Sequence, residues 1–418
     1  MDTPDTILFA VTHKPKIARV GLPPHHVDDN FNARSLVIGK MYDATKITFS
    51  PEGDLFAVRG PNLFRGPMPS DPKKDWFPTA KMVGTVDWNK FKFLFFFDPN
   101  GLLYAVTKNG EFYKGPAPDN ENMSWLYRQA TKIGQGTWDT FHALFFDNKG
   151  ILYAVTNNGT LVMRSPPTRV GDDWLGTSTT IGIGDWRPLC HFIDFSPDDY
   201  LWCVNKNNGK IYKGLPPTAA DPGSYLKNAE YLGYNYNTYR FLAFSIDKTI
   251  QSIGSFEFLP DSGEILSQGI EVLQSQIYTN TSSSTLKHSF SFSKTLTETS
   301  TFTQEHGFTV SYGSETTFSA GIPFISKTET KISVNTSTTH TWSLTKTNTT
   351  ETTFSSSTDV EVPAGRNIRM VATVLKGEMN VPYRAKIQTL FGYETIIQGM
   401  WKGVTHYNLT VSQEDYKP

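Results

Sequence analysis

The chain has little cysteine: Cys190 and Cys203 are the only two in 418 residues, too few for a disulfide framework. They flank one expected hairpin, where a pair or two free core thiols are both open. Net charge is lacking too. Thirty-nine basic residues face 40 acidic ones, in near balance along both halves, so no polycationic surface invites nucleic acid or anionic lipid. No apolar run approaches the ~20 residues of a membrane helix, and Phe93 to Phe97 is among the longest. The start, Met1 to Thr6, has neither the basic residues nor the apolar stretch of a secretory signal. These absences predict a soluble chain, stored in the cytoplasm or released by an unconventional route. It would meet a membrane only through β structure. Catalytic signatures are also missing. His25, His26, His142, His191, His288, His340 and His406 are scattered without metal-ligand spacing, and no nucleophile elbow or phosphate loop is present. The expectation is a non-enzyme with no cofactor and no metal. A glycosidase built on two distant carboxylates is the one enzymatic option left.

A repeat fills the first 250 residues. Phe49-Ser50-Pro51-Glu52-Gly53-Asp54-Leu55-Phe56-Ala57-Val58 returns at Phe97 to Val106 and Phe146 to Val155, more loosely at Phe195 to Val204, and fades at Phe244 to Asp247. The anchors Phe49, Phe97, Phe146, Phe195 and Phe244 stand 48, 49, 49 and 49 residues apart. A fixed period of this size means stacked copies of one supersecondary unit. Gly turns close hairpins, and Pro-rich exits such as Pro116-Ala117-Pro118 mark sheet edges. Connecting stretches run from Trp76 to Gly84, Trp125 to Gly134 and Trp174 to Gly182. Trp88, Trp138, Trp186 and Tyr236 then open the next inner strands. Four short strands per copy fit a propeller blade. The piece Ile7 to Val11 completes the fading last copy, giving an all-β, five-bladed ring over residues 1–255.

The strand Trp88 to Phe96, the Leu-Tyr-Ala-Val strands and the Lys114-Gly115-Pro116 exit resemble the tachylectin-2 family of five-bladed propeller lectins. That resemblance implies pockets for N-acetylglucosamine and N-acetylgalactosamine between blades, near the loop before each inner strand. The matching positions are Asp87, Trp88 and Asn89; Thr137, Trp138 and Asp139; and Asp185, Trp186 and Arg187. Carboxylates and amides suit sugar hydroxyls, and an indole face suits the apolar side of a ring. A Trp repeated once per blade serves equally well as packing between blades. The sets at Arg187-Pro188 and Tyr234-Asn235-Tyr236-Asn237 depart from the pattern, so fewer than five working pockets are expected.

At about residue 255 the composition changes. From Thr279 to Thr358, 41 of 80 residues are Ser or Thr. Apolar and polar residues alternate through Leu286 to Ser293, Phe308 to Gly313, Ile332 to Asn335 and Trp342 to Thr345, the period of half-buried strands. Within residues 308–344 lies an amphipathic hairpin whose expected tip is Gly321-Ile322-Pro323-Phe324-Ile325. Val310, Tyr312, Phe318, Ile332 and Val334 share one face; Ser311, Glu315, Ser319, Lys327, Glu329 and Lys331 share the other. Each arm exceeds the ~9–11 residues that a spanning β-strand needs.

Residues 256–418, through these strands, the Ser319 to Ile325 tip, the turn Val362-Pro363-Ala364-Gly365-Arg366 and the segment Val381 to Ala385, resemble the aerolysin family of β-pore-forming proteins. The resemblance implies an elongated module of twisted sheets, ring assembly and release of a tucked hairpin into lipid. The combined expectation is a lectin-targeted toxin. It would bind N-acetylhexosamine glycans, form a homo-oligomer on a target-cell membrane and open a pore, with no nucleic-acid partner. Two alternatives remain: a β-sandwich stalk that never inserts, or a multivalent agglutinin whose second domain only oligomerises it.

Overall fold

The computed structural model describes residues 6–417 except 28, 97, 99, 120–123, 305–306, 312–315 and 327–330. Phe97, read above as a repeat anchor, and Tyr312, Glu315, Lys327 and Glu329, read as hairpin faces, lie outside the described residues. The chain divides into two compact units, Met1–Thr249 and Ile250–Pro418.

In the first unit, β1 (Thr6–Thr12), β2 (Ile17–Gly21) and β3 (Leu36–Lys40) come first. A four-stranded sheet follows: β4 (Ala44–Phe49), β5 (Leu55–Arg59), β6 (Asn62–Gly66) and β7 (Lys81–Gly84). The next is β8 (Phe91–Phe96), β9 (Leu102–Thr107), β10 (Phe112–Pro116) and β11 (Thr131–Gly134). Then come β12 (Ala143–Phe146), β13 (Leu152–Val155), β14 (Leu161–Arg164) and β15 (Thr179–Gly182). The fourth is β16 (Phe192–Phe195), β17 (Leu201–Val204), β18 (Ile211–Gly214) and β19 (Glu230–Gly233). Finally β20 (Tyr239–Ile246) pairs with β1, Leu8 opposite Phe244, so both ends of the unit share one blade. β4, β8, β12, β16 and β20 touch in that cyclic order and are the innermost strands of a closed five-bladed propeller.

The turns explain the repeat. The hairpin after each inner strand needs a positive φ, taken by Gly53 (84°), Gly101 (77°) and Gly150 (78°), and in the looser fourth copy by Asp199 (63°). Glycine has no Cβ to clash there, and aspartate is one of the few side chains that tolerate it. The aromatic residues of the connecting stretches tie each blade's exit to its outer strand. Trp76 Nε1 donates to Pro67 O at 2.7 Å, Trp125 Nε1 to Pro116 O at 2.7 Å and Trp174 Nε1 to Ser165 O at 2.9 Å. In the fourth copy Tyr225 stands in the Trp position, and its hydroxyl donates instead to Leu201 O of β17 at 2.7 Å. Cys190 and Cys203 are both free thiols.

The second unit comprises β21 (Thr249–Phe258), β22 (Glu264–Thr279), β23 (Leu286–Gln304), β24 (Thr309–Val310), β25 (Thr317–Ile325), β26 (Ile332–Ser343), β27 (Asn348–Val362), β28 (Asn367–Thr389) and β29 (Glu394–Asp415). Its main sheet runs β24-β21-β28-β29-β23-β27, with β22 also paired to β28. The 23 residues of β28 pair with β29 along one edge, and with β22 and then β21 along the other. Threonine and serine populate the exposed faces of β23 and β27, where β-branched side chains suit an extended backbone.

One polar cluster sits inside this sheet. Glu298 on β23 is 5% exposed, and its carboxylate accepts from the backbone N–H of His406 at 2.5 Å and from Thr352 Oγ1 at 3.2 Å. His406 Nδ1 lies 3.1 Å from the same carboxylate, and its Nε2 lies 3.3 Å from Glu271 on β22. The cluster therefore joins β22, β23, β27 and β29. Glu298→Leu strands these donors without water or a partner and is expected to cost about 3 kcal/mol of stability. Urea unfolding checks it; a change below about 0.5 kcal/mol would show the cluster to be dispensable.

Candidate functional site

The loops that open the inner strands stand over the hairpin turns of the preceding blade. Trp186 N donates to Gly159 O at 2.9 Å and Tyr236 N to Gly209 O at 3.0 Å. A Cβ on Gly110 would stand 1.7 Å from Gly136 O and 2.6 Å from Asp139 Oδ1; one on Gly159, 2.6 Å from Asp185 Oδ1. Short polar side chains thus sit close over the glycine turns of the preceding blade. Asp87 sits in the left-handed region at φ 74° and pairs with Lys90 at 2.7 Å. Asn89 and Thr137 are exposed and Asp139 is half-buried. Asp185 pairs with Arg187 at 2.7 Å, and the hydrogen bonds from that guanidinium hold its carboxyl below the usual range.

The three indoles lie inside the propeller. Trp88, Trp138 and Trp186 are 2%, 7% and 4% exposed. Trp88 packs on Trp125 at 5.6 Å between centroids, Trp138 on Trp174 at 5.3 Å, and Trp186 on Tyr225 at 5.2 Å. A Cβ on Gly84, Gly134 or Gly182 would stand 2.2, 2.4 or 2.5 Å from the corresponding Trp Nε1. The repeated glycine clears the space that the repeated indole fills. These rings pack between blades, with the polar residues beside them nearer the surface.

A cleft of about 680 Å³ lies at the copy whose motif departs furthest. Asp29, Asn30, Tyr234, Asn235, Tyr236 and Thr238 line it. Asp29 accepts the backbone N–H of His25 at 2.7 Å and pairs with Arg34, which together hold its carboxyl low. Asp29 and Asn30 carry no repeat signal, because they lie in the N-terminal segment that joins the last copy only through ring closure.

The hairpin of the second unit is real, but its turn is displaced. Gly321, Ile322, Pro323, Phe324 and Ile325 are strand residues of β25, with Ile322 opposite Asn335 and Ile325 opposite Ile332. The chain reverses after them, where Ser326 N donates to Lys331 O at 2.8 Å. Pro323 is tolerated because a two-stranded ribbon leaves each strand an open edge. A Cβ on Gly321 would meet Asn335 O at 2.4 Å, so this glycine permits a close backbone approach beside a register shift.

β25 and β26 form a separate two-stranded sheet. Phe318, Ile325, Ile332 and Trp342 bury one face against Phe258, Tyr383, Ile387 and Trp401 of the main sheet. Phe318 stacks on Phe256 with centroids 4.0 Å apart. From Asn335 to Thr339 both faces of β26 are exposed, and Phe324 is 36% exposed. Side-chain packing holds the ribbon in place. Among the described residues no group of three or more His, Cys, Asp or Glu gathers for a metal, and no helix is long and apolar enough to cross a membrane.

The fold is thus a five-bladed propeller followed by a curled β-sheet domain of the kind found in aerolysin-like toxins. The Tachylectin family model matches residues 10–241, more than half of the chain, and the chain belongs to that family. The model of Clostridium epsilon toxin ETX/Bacillus mosquitocidal toxin MTX2 matches residues 221–411, and the second unit is an aerolysin-like pore-forming domain. A structure from work titled "The de novo evolutionary emergence of a symmetrical protein is shaped by folding constraints" is 29% identical, with a TM-score of 0.51; the match covers 57% of this chain and 97% of that one. Lamprey immune protein is 16% identical over 75% of this chain and 87% of its own, with a TM-score of 0.33. An aerolysin-like protein of Bombina maxima is 12% identical over 40% of this chain and all (100%) of its own, with a TM-score of 0.27. No curated protein matches the sequence.

Proposed function

We propose that the chain is a lectin-targeted pore-former that acts without chemistry on its ligand. The propeller binds N-acetylhexosamine glycans in clefts between blades, and several such contacts on one surface add avidity. Asp87, Asn89, Thr137, Asp139, Asp185 and Arg187 supply polar contacts at three clefts, with Trp88, Trp138 and Trp186 as their buried walls. Asp29, Asn30 and Asn235 serve a fourth. Concentrated on a target-cell membrane, subunits assemble through the second unit, and the β25–β26 ribbon from each joins a closed barrel, the form in which strands satisfy their backbones in lipid.

One observation carries this reading: the ribbon is a sheet of its own, packed on the main sheet by side chains. It can depart without breaking a ladder of backbone hydrogen bonds. Its apolar face then exchanges one apolar surrounding for another, while the Ser/Thr face stays wet.

Dye-loaded liposomes carrying an N-acetylglucosamine glycolipid test it, with and without protease treatment. Leakage is expected, abolished by free N-acetylhexosamine and reduced at least tenfold by Phe324→Asp. That side chain is already 36% exposed, so the variant should fold normally. Agglutination of the liposomes without leakage under every condition would identify a multivalent agglutinin instead.

A further inference from the structure

The repeat anchors are unused by the clefts between blades. The inner strands begin at those clefts and end at the anchors, so the anchors gather at the opposite end of the ring. Phe49, Phe146, Phe195 and Phe244 there line a cavity of about 240 Å³. That space equals about eight waters, enough for a small head group.

Three carboxylates share this lining: Asp98, Asp147 and Asp194. Two have structural work. Asp98 Oδ1 accepts the N–H groups of Asn100 and Leu102, and Asp147 Oδ1 those of Lys149 and Ile151, each closing a hairpin turn. Asp194 closes no turn. It lies mid-strand on β16 opposite Trp202, and its carboxylate accepts the N–H of its neighbour Phe195 at 2.9 Å. At the matching register the third blade has Phe145 opposite Tyr153, and the first has Thr48 opposite Phe56. Packing there is thus served by residues without charge. Burial pushes the Asp194 carboxyl up to about 7, and among the described residues no basic side chain offsets it. Asp194 is half-buried beside these phenylalanines, and a carboxylate there without a cation is costly unless a ligand supplies the charge.

We propose that this cavity binds a quaternary-ammonium head group, its charge set against Asp194 and its methyl groups against the phenylalanine lining. Aromatic rings and a carboxylate with few hydrogen-bonding partners favour a cation that carries no N–H. The site is independent of the sugar clefts and of pore formation. A free choline-type molecule and a phosphatidylcholine head group share this chemistry.

Thermal unfolding and calorimetry with choline chloride test the proposal, using sodium chloride at equal ionic strength as the reference. Choline should raise the unfolding temperature beyond sodium in a saturable way, and Asp194→Asn should weaken that binding at least tenfold. The variant keeps the side-chain shape and loses the buried charge, so misfolding does not confuse the outcome. Flotation of the protein with phosphatidylcholine vesicles, competed by choline, would identify the lipid as the source; choline binding without flotation would identify the free molecule. No response beyond that to sodium, or an equal response in Asp194→Asn, would overturn the proposal.

Discussion

At about pH 8, Asp194→Asn should unfold well above the parent chain, and the gap should close as the pH falls toward 4. In the unfolded chain this carboxyl ionises near its ordinary value of 3.8, whereas in the folded chain burial moves it to about 7. Between those values the folded protein keeps a proton that the unfolded one has released. Stability therefore falls as pH rises through the window, and above it the full penalty applies. Three pKa units correspond to about 4 kcal/mol, or roughly 10 °C for a unit of this size. Asparagine never ionises and escapes the penalty. The measurement is urea unfolding of both chains across this pH range. A gap that stays constant with pH would mean that the Asp194 carboxylate is not held away from water.

How far the sequence revealed this molecule depended on whether its signals were local. The anchors at Phe49, Phe146, Phe195 and Phe244 recur because each blade needs the same hairpin, so blade number and ring closure could be read from spacing alone. Asp199 in place of a turn glycine could be understood, since both tolerate positive φ. The role of the indoles could not. Trp138 offers the same sequence signal whether it faces a sugar or a neighbouring blade, and only the space left by Gly134 decides for the wall. The hairpin turn was misplaced for a related reason. Gly321 and Pro323 are turn formers by habit, but Ile325 and Ile332 are worth more as a buried pair, and strand pairing continues to them. Asp194 gave no sign at all, because an aspartate in a loose copy reads as ordinary until its register and depth are known. Asp29 and Asn30 were hidden by topology, as one wall of the cleft beside Tyr236 comes from the opposite end of the propeller sequence.

The largest functional effect expected is an all-or-none one, from fastening the ribbon to its sheet. Ile325 is fully buried, and its Cγ1 lies 3.7 Å from where a Cβ on Gly377 of β28 would stand. Cysteines at these two positions are within disulfide reach. The native thiols should stay out of the oxidation, because burial pushes both Cys190 and Cys203 up to about 12 and leaves little thiolate. A disulfide joining β25 to β28 leaves the propeller untouched and forbids only the departure of the ribbon. Glycan binding should therefore be the same in the oxidised and reduced protein, which separates targeting from insertion.

The decisive measurement is dye release from glycan-bearing liposomes by Ile325→Cys/Gly377→Cys, before and after a reductant. The account predicts no release while the disulfide holds, and release restored on reduction, with glycan binding unchanged throughout. Equal release in both states would contradict it, because the pore would then form with the ribbon still fastened in place.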